Sequence, residues 1–98
     1  MCGICGSYSA NGLRSDDERL VRSMMELLEH RGPDGEGLWA SEGGAVLGHR
    51  RLAIIDLLGG HQPQFNETRD IGVIVNGEIY NYRELRSELA SLGHVFKT

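Results

Sequence analysis

Cys2 follows the initiator Met1 and precedes Gly3. Loss of Met1, which a small second residue permits, would leave a thiol beside its own free amine. Reference pKa values of about 7.7–8.0 for an α-amino group and about 8.5 for a thiol let that amine take the thiol proton near neutrality. Such a residue is a nucleophile that carries its own base, although position alone also suits a small residue that merely follows the initiator. The same stretch, Cys2-Gly3-Ile4-Cys5, has the C-x-x-C form used by dithiol redox pairs and by half of a zinc site. Redox use places the pair at a helix N-terminus, whereas the first helical pattern here begins about a dozen residues later; zinc needs two further local ligands, and His30, His49, His61 and His94 are scattered. No metal site is therefore expected, and Cys5 reads as a small buried residue on a strand.

Gly48-His49-Arg50-Arg51-Leu52 places two guanidinium groups at adjacent positions of an extended segment. Adjacent strand residues face opposite sides, so one Arg can enter a cleft while the other is solvated or paired. A cleft Arg suits a substrate carboxylate through two parallel hydrogen bonds; a surface ion pair is the plainer reading and contributes little. Asn76-Gly77-Glu78 follows an apolar run, where an Asn side-chain NH2 and a glycine backbone N–H could together cradle an oxyanion. A plain Asn-Gly turn is the commoner meaning of that dipeptide. Glu78 could act as a general base, clamp a substrate ammonium, or simply be an exposed carboxylate. His30-Arg31-Gly32-Pro33-Asp34 is either a polar turn that props a neighbouring site or a helix stop with cations at the negative end of the dipole.

The elements that must hold these residues follow from periodicity and punctuation. Residues 2–9 predict a first strand, closed by an Asn11-Gly12 turn. Ser15 and Glu18 form a capping pattern that predicts a helix from about Asp16. Leu20, Met24, Leu27 and Leu28, flanked by Val21 and Met25, form its inward stripe, and Gly32-Pro33 its stop. Met24 and Met25 at that spacing are core fillers rather than a ligand box. Glu42-Gly43-Gly44 predicts a hairpin turn between a strand near Leu38 and the run Ala45–Ile55. Residues 56–66 predict a loop and Ile71–Val75 another strand. Asn81 and Glu84 cap a second helix with Leu85, Leu89 and Leu92 on one stripe, ending at Gly93; Val95–Thr98 begins a further strand.

Composition narrows the partners. Fourteen acidic against ten basic residues give a net charge of −4, the wrong sign for binding nucleic acid by counterion release. Nine of those ten basic residues are Arg and only Lys97 is Lys, which favours forked recognition of carboxylates. The aliphatic runs are strand-sized, so no membrane span is expected, and no export signal follows Met1. A cytoplasmic location with both cysteines as thiols is the expectation. At 98 residues there is room for one domain with a thin core.

Taken together, Met1-Cys2-Gly3-Ile4, HRGPD at 30–34, RLAIID at 51–56 and NGEIYN at 76–81 resemble the N-terminal glutaminase domain of the asparagine synthetases, within the class II glutamine amidotransferases. Relatives acting on sugar phosphates or phosphoribosyl groups share the leading Cys but usually lack the last two motifs. The resemblance implies an α+β fold of the N-terminal-nucleophile type, a four-layer αββα sandwich of which residues 1–98 would be the N-terminal portion. It implies that processed Cys2 attacks the side-chain amide of glutamine and forms a glutamyl thioester. Asn76 and the Gly77 amide would stabilise the oxyanion, and Arg51 rather than Arg50 would grip the α-carboxylate. Leu52, Ala53, Ile54 and Ile55 would line the pocket with backbone groups, and Glu78 would lie near the α-ammonium. His30 to Asp34 would be support. The glutaminase step needs no cofactor; ATP and magnesium belong to a synthetase domain that these residues lack, as they lack the Ser-Asp motif and later strands expected after Thr98. The chain is accordingly expected to be a piece of a longer enzyme, poorly active or inactive by itself, whose partners are glutamine and those missing parts; association of identical copies is compatible with this. An amidotransferase for another acceptor, and a noncatalytic module that kept the fold, remain open alternatives.

Overall fold

A computed structural model describes residues 2–52 and 60–97. The element order is β1 (Gly3–Tyr8), α1 (Asp17–Leu27), a single 3-10 turn (Glu29–Arg31), β2 (Gly35–Ala40), β3 (Ala45–Arg51), β4 (Gln64–Phe65), β5 (Gly72–Val73) and α2 (Tyr82–Ser91). The result is an α+β arrangement of antiparallel sheets with two helices. Strand β3 is central, pairing antiparallel with both β1 and β2, while β4 and β5 form a separate two-stranded pair.

Strand alternation sorts the three-stranded sheet into two faces. Cys5, Leu38, Ala40 and Val46 pack towards α1, where Val21, Met25 and Val46 are essentially fully buried. The helix approaches closely because Gly48 is bare: a Cβ there would lie 2.8 Å from Met25 Cγ and 2.9 Å from Val21 Cγ1. The inward stripe of α1 therefore centres on Val21 and Met25. Leu20 and Leu27, expected to face inward, are 51% and 78% exposed. They flank the stripe on the side away from the single sheet that α1 covers. The predicted Ser15 cap does not form either. Asp16 is the N-cap without a side-chain bond, and the Asp17 carboxylate accepts the Arg14 N–H at 2.7 Å.

The opposite face carries Ile4, His49, Arg51, Gly37 and Trp39, in register across the three strands. The β4–β5 pair lies on it. Trp39 and Phe65 meet edge to face at 5.3 Å, and a Cβ on Gly37 would overlap the Gln62 carbonyl oxygen. Residues 60–66, expected as loop, thus supply a short strand. Residues 71–75 pair as a ladder only at Gly72–Val73, because a side chain replaces the neighbouring strand beyond that point: Gln62 Oε1 accepts the Val75 N–H at 2.7 Å and Gln62 Nε2 donates to the Val75 carbonyl at 3.1 Å. The connecting turn is closed by Asn66 Oδ1, which accepts the N–H groups of Asp70 and Ile71.

Helix α2 ends as predicted, with Gly93 at φ +99° and the His94 N–H donating to the Leu89 carbonyl. Its leucine stripe is not buried, and residues 95–97 join no strand among the described residues. His94 instead meets Glu67 at 3.3 Å, and Arg86 lies over the Phe96 ring. No helix among the described residues is long and apolar enough to cross a membrane.

Candidate functional site

The start of β1 and the end of β3 define the site. Gly3 pairs with Arg50, so in the same antiparallel register Cys2 falls opposite Arg51. Residues of such a cross-strand pair project from one face with their Cβ atoms about 5 Å apart. Thus a thiol and a guanidinium 49 positions apart in sequence become neighbours. The Leu52 N–H donates to Cys2 Sγ at 3.4 Å, which fixes the sulfur at the point where β3 ends. Cys2 is half-buried and Arg51 only 7% exposed.

Cys5 lies on the other face, its Sγ 3.9 Å from the Val21 carbonyl, and burial raises its thiol pKa. The two cysteines of C-x-x-C thus project to opposite sides of one strand, unlike a working dithiol or chelate pair. Among the described residues, no group of three or more His, Cys, Asp or Glu side chains is placed to hold a metal ion.

The HRGPD turn is stitched to both halves of the site. Arg31 Nε donates to the Cys2 carbonyl at 3.3 Å, and the Asp34 N–H donates to the Arg51 carbonyl at 2.9 Å. Arg50, projecting to the α1 side, donates through Nε to the Gly32 carbonyl at 3.0 Å and through NH1 to Glu36 at 2.9 Å, with Glu29 at 3.8 Å. Gly32 is buried against β3, where any Cβ would overlap the Arg50 carbonyl, so a side chain there would push the turn off the strand.

Asn76, Gly77 and Glu78 are exposed and follow directly on Val75, the residue clasped by Gln62. The described hydrogen bonds do not join them to Cys2. Leu52 is half-buried and touches the sulfur as above. Ala53, Ile54 and Ile55 lie outside the described residues, as does Met1. Sequence reasoning missed two residues here. His49 is 1% exposed on the Cys2–Arg51 face, and its position two before Arg51 was the available signal. Gln62, inside an expected loop, gave none.

A thiol and a guanidinium share one sheet face, with a basic turn anchoring their backbones, and the glutamine amidotransferase domain family matches residues 1–98; the chain belongs to that family. Within it the chain resembles the N-terminal region of glutamine-hydrolysing asparagine synthetases. It is 43% identical over 100 residues to "Asparagine synthetase [glutamine-hydrolyzing] 1" of Bacillus subtilis (strain 168), covering 100% of this chain and 16% of that protein. The namesake from Lotus japonicus is 44% identical over 98 residues with the same coverage, and that from Arabidopsis thaliana 45% identical, covering 97% of this chain and 16% of its own length. The chain thus spans about a sixth of these relatives.

Proposed function

We propose that these residues form the N-terminal portion of the glutaminase domain of a class II amidotransferase of the asparagine synthetase type, with Cys2, freed of Met1, as nucleophile. The observation that carries this reading is the cross-strand placement of Cys2 opposite Arg51. A substrate with an α-carboxylate at one end and a carboxamide at the other can bridge from guanidinium to thiol. The Cys2 thiol gives its proton to the neighbouring amine, and the sulfur attacks the carboxamide carbon. The Asn76 side-chain amide and the Gly77 N–H hold the resulting oxyanion, and Glu78 meets the substrate ammonium. Collapse breaks the C–N bond, the proton held on the amine leaves with ammonia, and a glutamyl thioester remains. Water then attacks the thioester, releasing glutamate and restoring the thiol. Oxyanion donors of this kind are each worth about 3–4 kcal/mol.

In this reading Leu52 to Ile55 close the pocket with backbone groups. The helix α1 on one face of the sheet and the β4–β5 pair on the other support three of the four layers of an N-terminal-nucleophile sandwich. The released ammonia serves ATP- and magnesium-dependent conversion of aspartate to asparagine in a synthetase domain outside residues 1–98, in a cytoplasmic enzyme. Hydroxylamine tests the chemistry, since it intercepts an acyl thioester in competition with water. Glutamine with hydroxylamine should yield γ-glutamyl hydroxamate at the expense of free glutamate. Ammonia release without any hydroxamate would contradict the covalent step.

A further inference from the structure

His49 is the largest fully enclosed side chain among the described residues, and its Nε2 has no hydrogen-bond partner. A buried polar atom in that state is destabilising, a cost that a leucine of similar bulk would avoid. Packing alone does not account for a histidine here. Across the sheet His49 stands between Ile4 and Gly37. The bare backbone of Gly37 admits Gln62, whose side-chain amide clasps the Val75 backbone from both sides. Gln62 thereby ties the Val75 backbone to the part of the sheet where His49 sits. Burial, assisted by the Arg51 charge, lowers the His49 pKa against a smaller opposing effect of the Val75 backbone, so the ring is neutral near pH 7.

Building on the glutamine-hydrolysis reading, we propose that His49 is a positioning residue. Its enclosed ring, on the sheet face where Gln62 passes Gly37 and clasps Val75, fixes where the Asn76–Gly77 oxyanion donors stand relative to Cys2. Val75 immediately precedes those donors, and misplacement of a catalytic group by about 1 Å can cost on the order of a hundredfold in rate.

The test uses the complete enzyme that contains these residues and three variants of it. His49→Leu keeps the bulk without the nitrogens, His49→Asn retains a polar atom near Nδ1, and His49→Gln retains one near Nε2. For His49→Leu, kcat for glutamine hydrolysis should fall roughly tenfold to a hundredfold with KM little changed. Alkylation of Cys2 by iodoacetamide, which needs no oxyanion donors, should keep its rate. His49→Asn should recover most of the lost kcat and His49→Gln should not, because Nε2, the nitrogen Gln would replace, has no partner to restore. Unchanged kcat in His49→Leu, or a parallel loss of kcat, glutamine binding and alkylation, would overturn the role. Should His49→Leu fail to fold, equal kcat in the Asn and Gln variants would overturn it instead. Failure of the unsubstituted complete enzyme to release ammonia from glutamine would reject the underlying reading itself.

Discussion

Cys2→Ala should reduce glutamine-dependent ammonia release by roughly a thousandfold or more, the scale seen when the nucleophile of a coupled catalytic unit is removed. No other thiol can substitute. Cys5 is on the opposite face of β1, directed at the Val21 carbonyl and held protonated by burial. The loss should be confined to glutamine. In the complete enzyme, synthesis driven by added ammonium salts should continue, because it bypasses the thioester, and equal loss of both activities would contradict that division. Folding should be little affected: the Leu52 N–H bond to sulfur is a weak one, and the Arg31 bond is made to the Cys2 backbone carbonyl, which alanine keeps.

The second large effect is expected at Arg51. Hydrogen bonds to charged groups contribute about 1.5–3 kcal/mol, so loss of the fork should raise the KM for glutamine roughly ten- to a hundredfold, with a smaller change in kcat. Because Arg51 is 7% exposed, Arg51→Ala combines that loss with an unfilled buried space. Arg51→Lys is the cleaner probe, retaining the charge while giving up the two parallel bonds. A glutamine derivative whose α-carboxylate is converted to an amide separates the two effects. The unsubstituted chain should discriminate strongly against it, and Arg51→Lys should discriminate much less. If discrimination survives in the variant, the carboxylate is bound elsewhere. Arg50→Lys should instead weaken the turn at Gly32 and Glu36, appearing as lower thermal stability rather than altered substrate preference.

Much of this site was legible from residue types and spacing. The glycine-rich first strand, the hairpin turn before Ala45 and both helices follow from punctuation and period, and strand alternation already required Arg50 and Arg51 to part company. What single-strand patterns could not supply is register. That Cys2 falls opposite Arg51 depends on how β1 slides along β3, which only the packed sheet determines. The phase of α1 was misread for a related reason. Leucines mark an apolar helix, but the glycine at position 48 decides which of its turns comes nearest the sheet. His49 carries no motif of its own; only its place two residues before Arg51, on the same strand face, links it to the site. The Gln62 clasp on Val75 was hidden because a side chain performs there what a neighbouring strand usually does.

Glutamine hydrolysis by this mechanism requires a Cys2 that has lost Met1 and become the acceptor of the glutamyl group. The most direct measurement is peptide mapping by mass spectrometry of active protein treated with a diazo-ketone analogue of glutamine, which alkylates the attacking thiol. The N-terminal peptide should begin at Cys2 and carry one equivalent of label on that sulfur, with Cys5 unmodified. A retained Met1 in active protein, or label on Cys5 in place of Cys2, would contradict it.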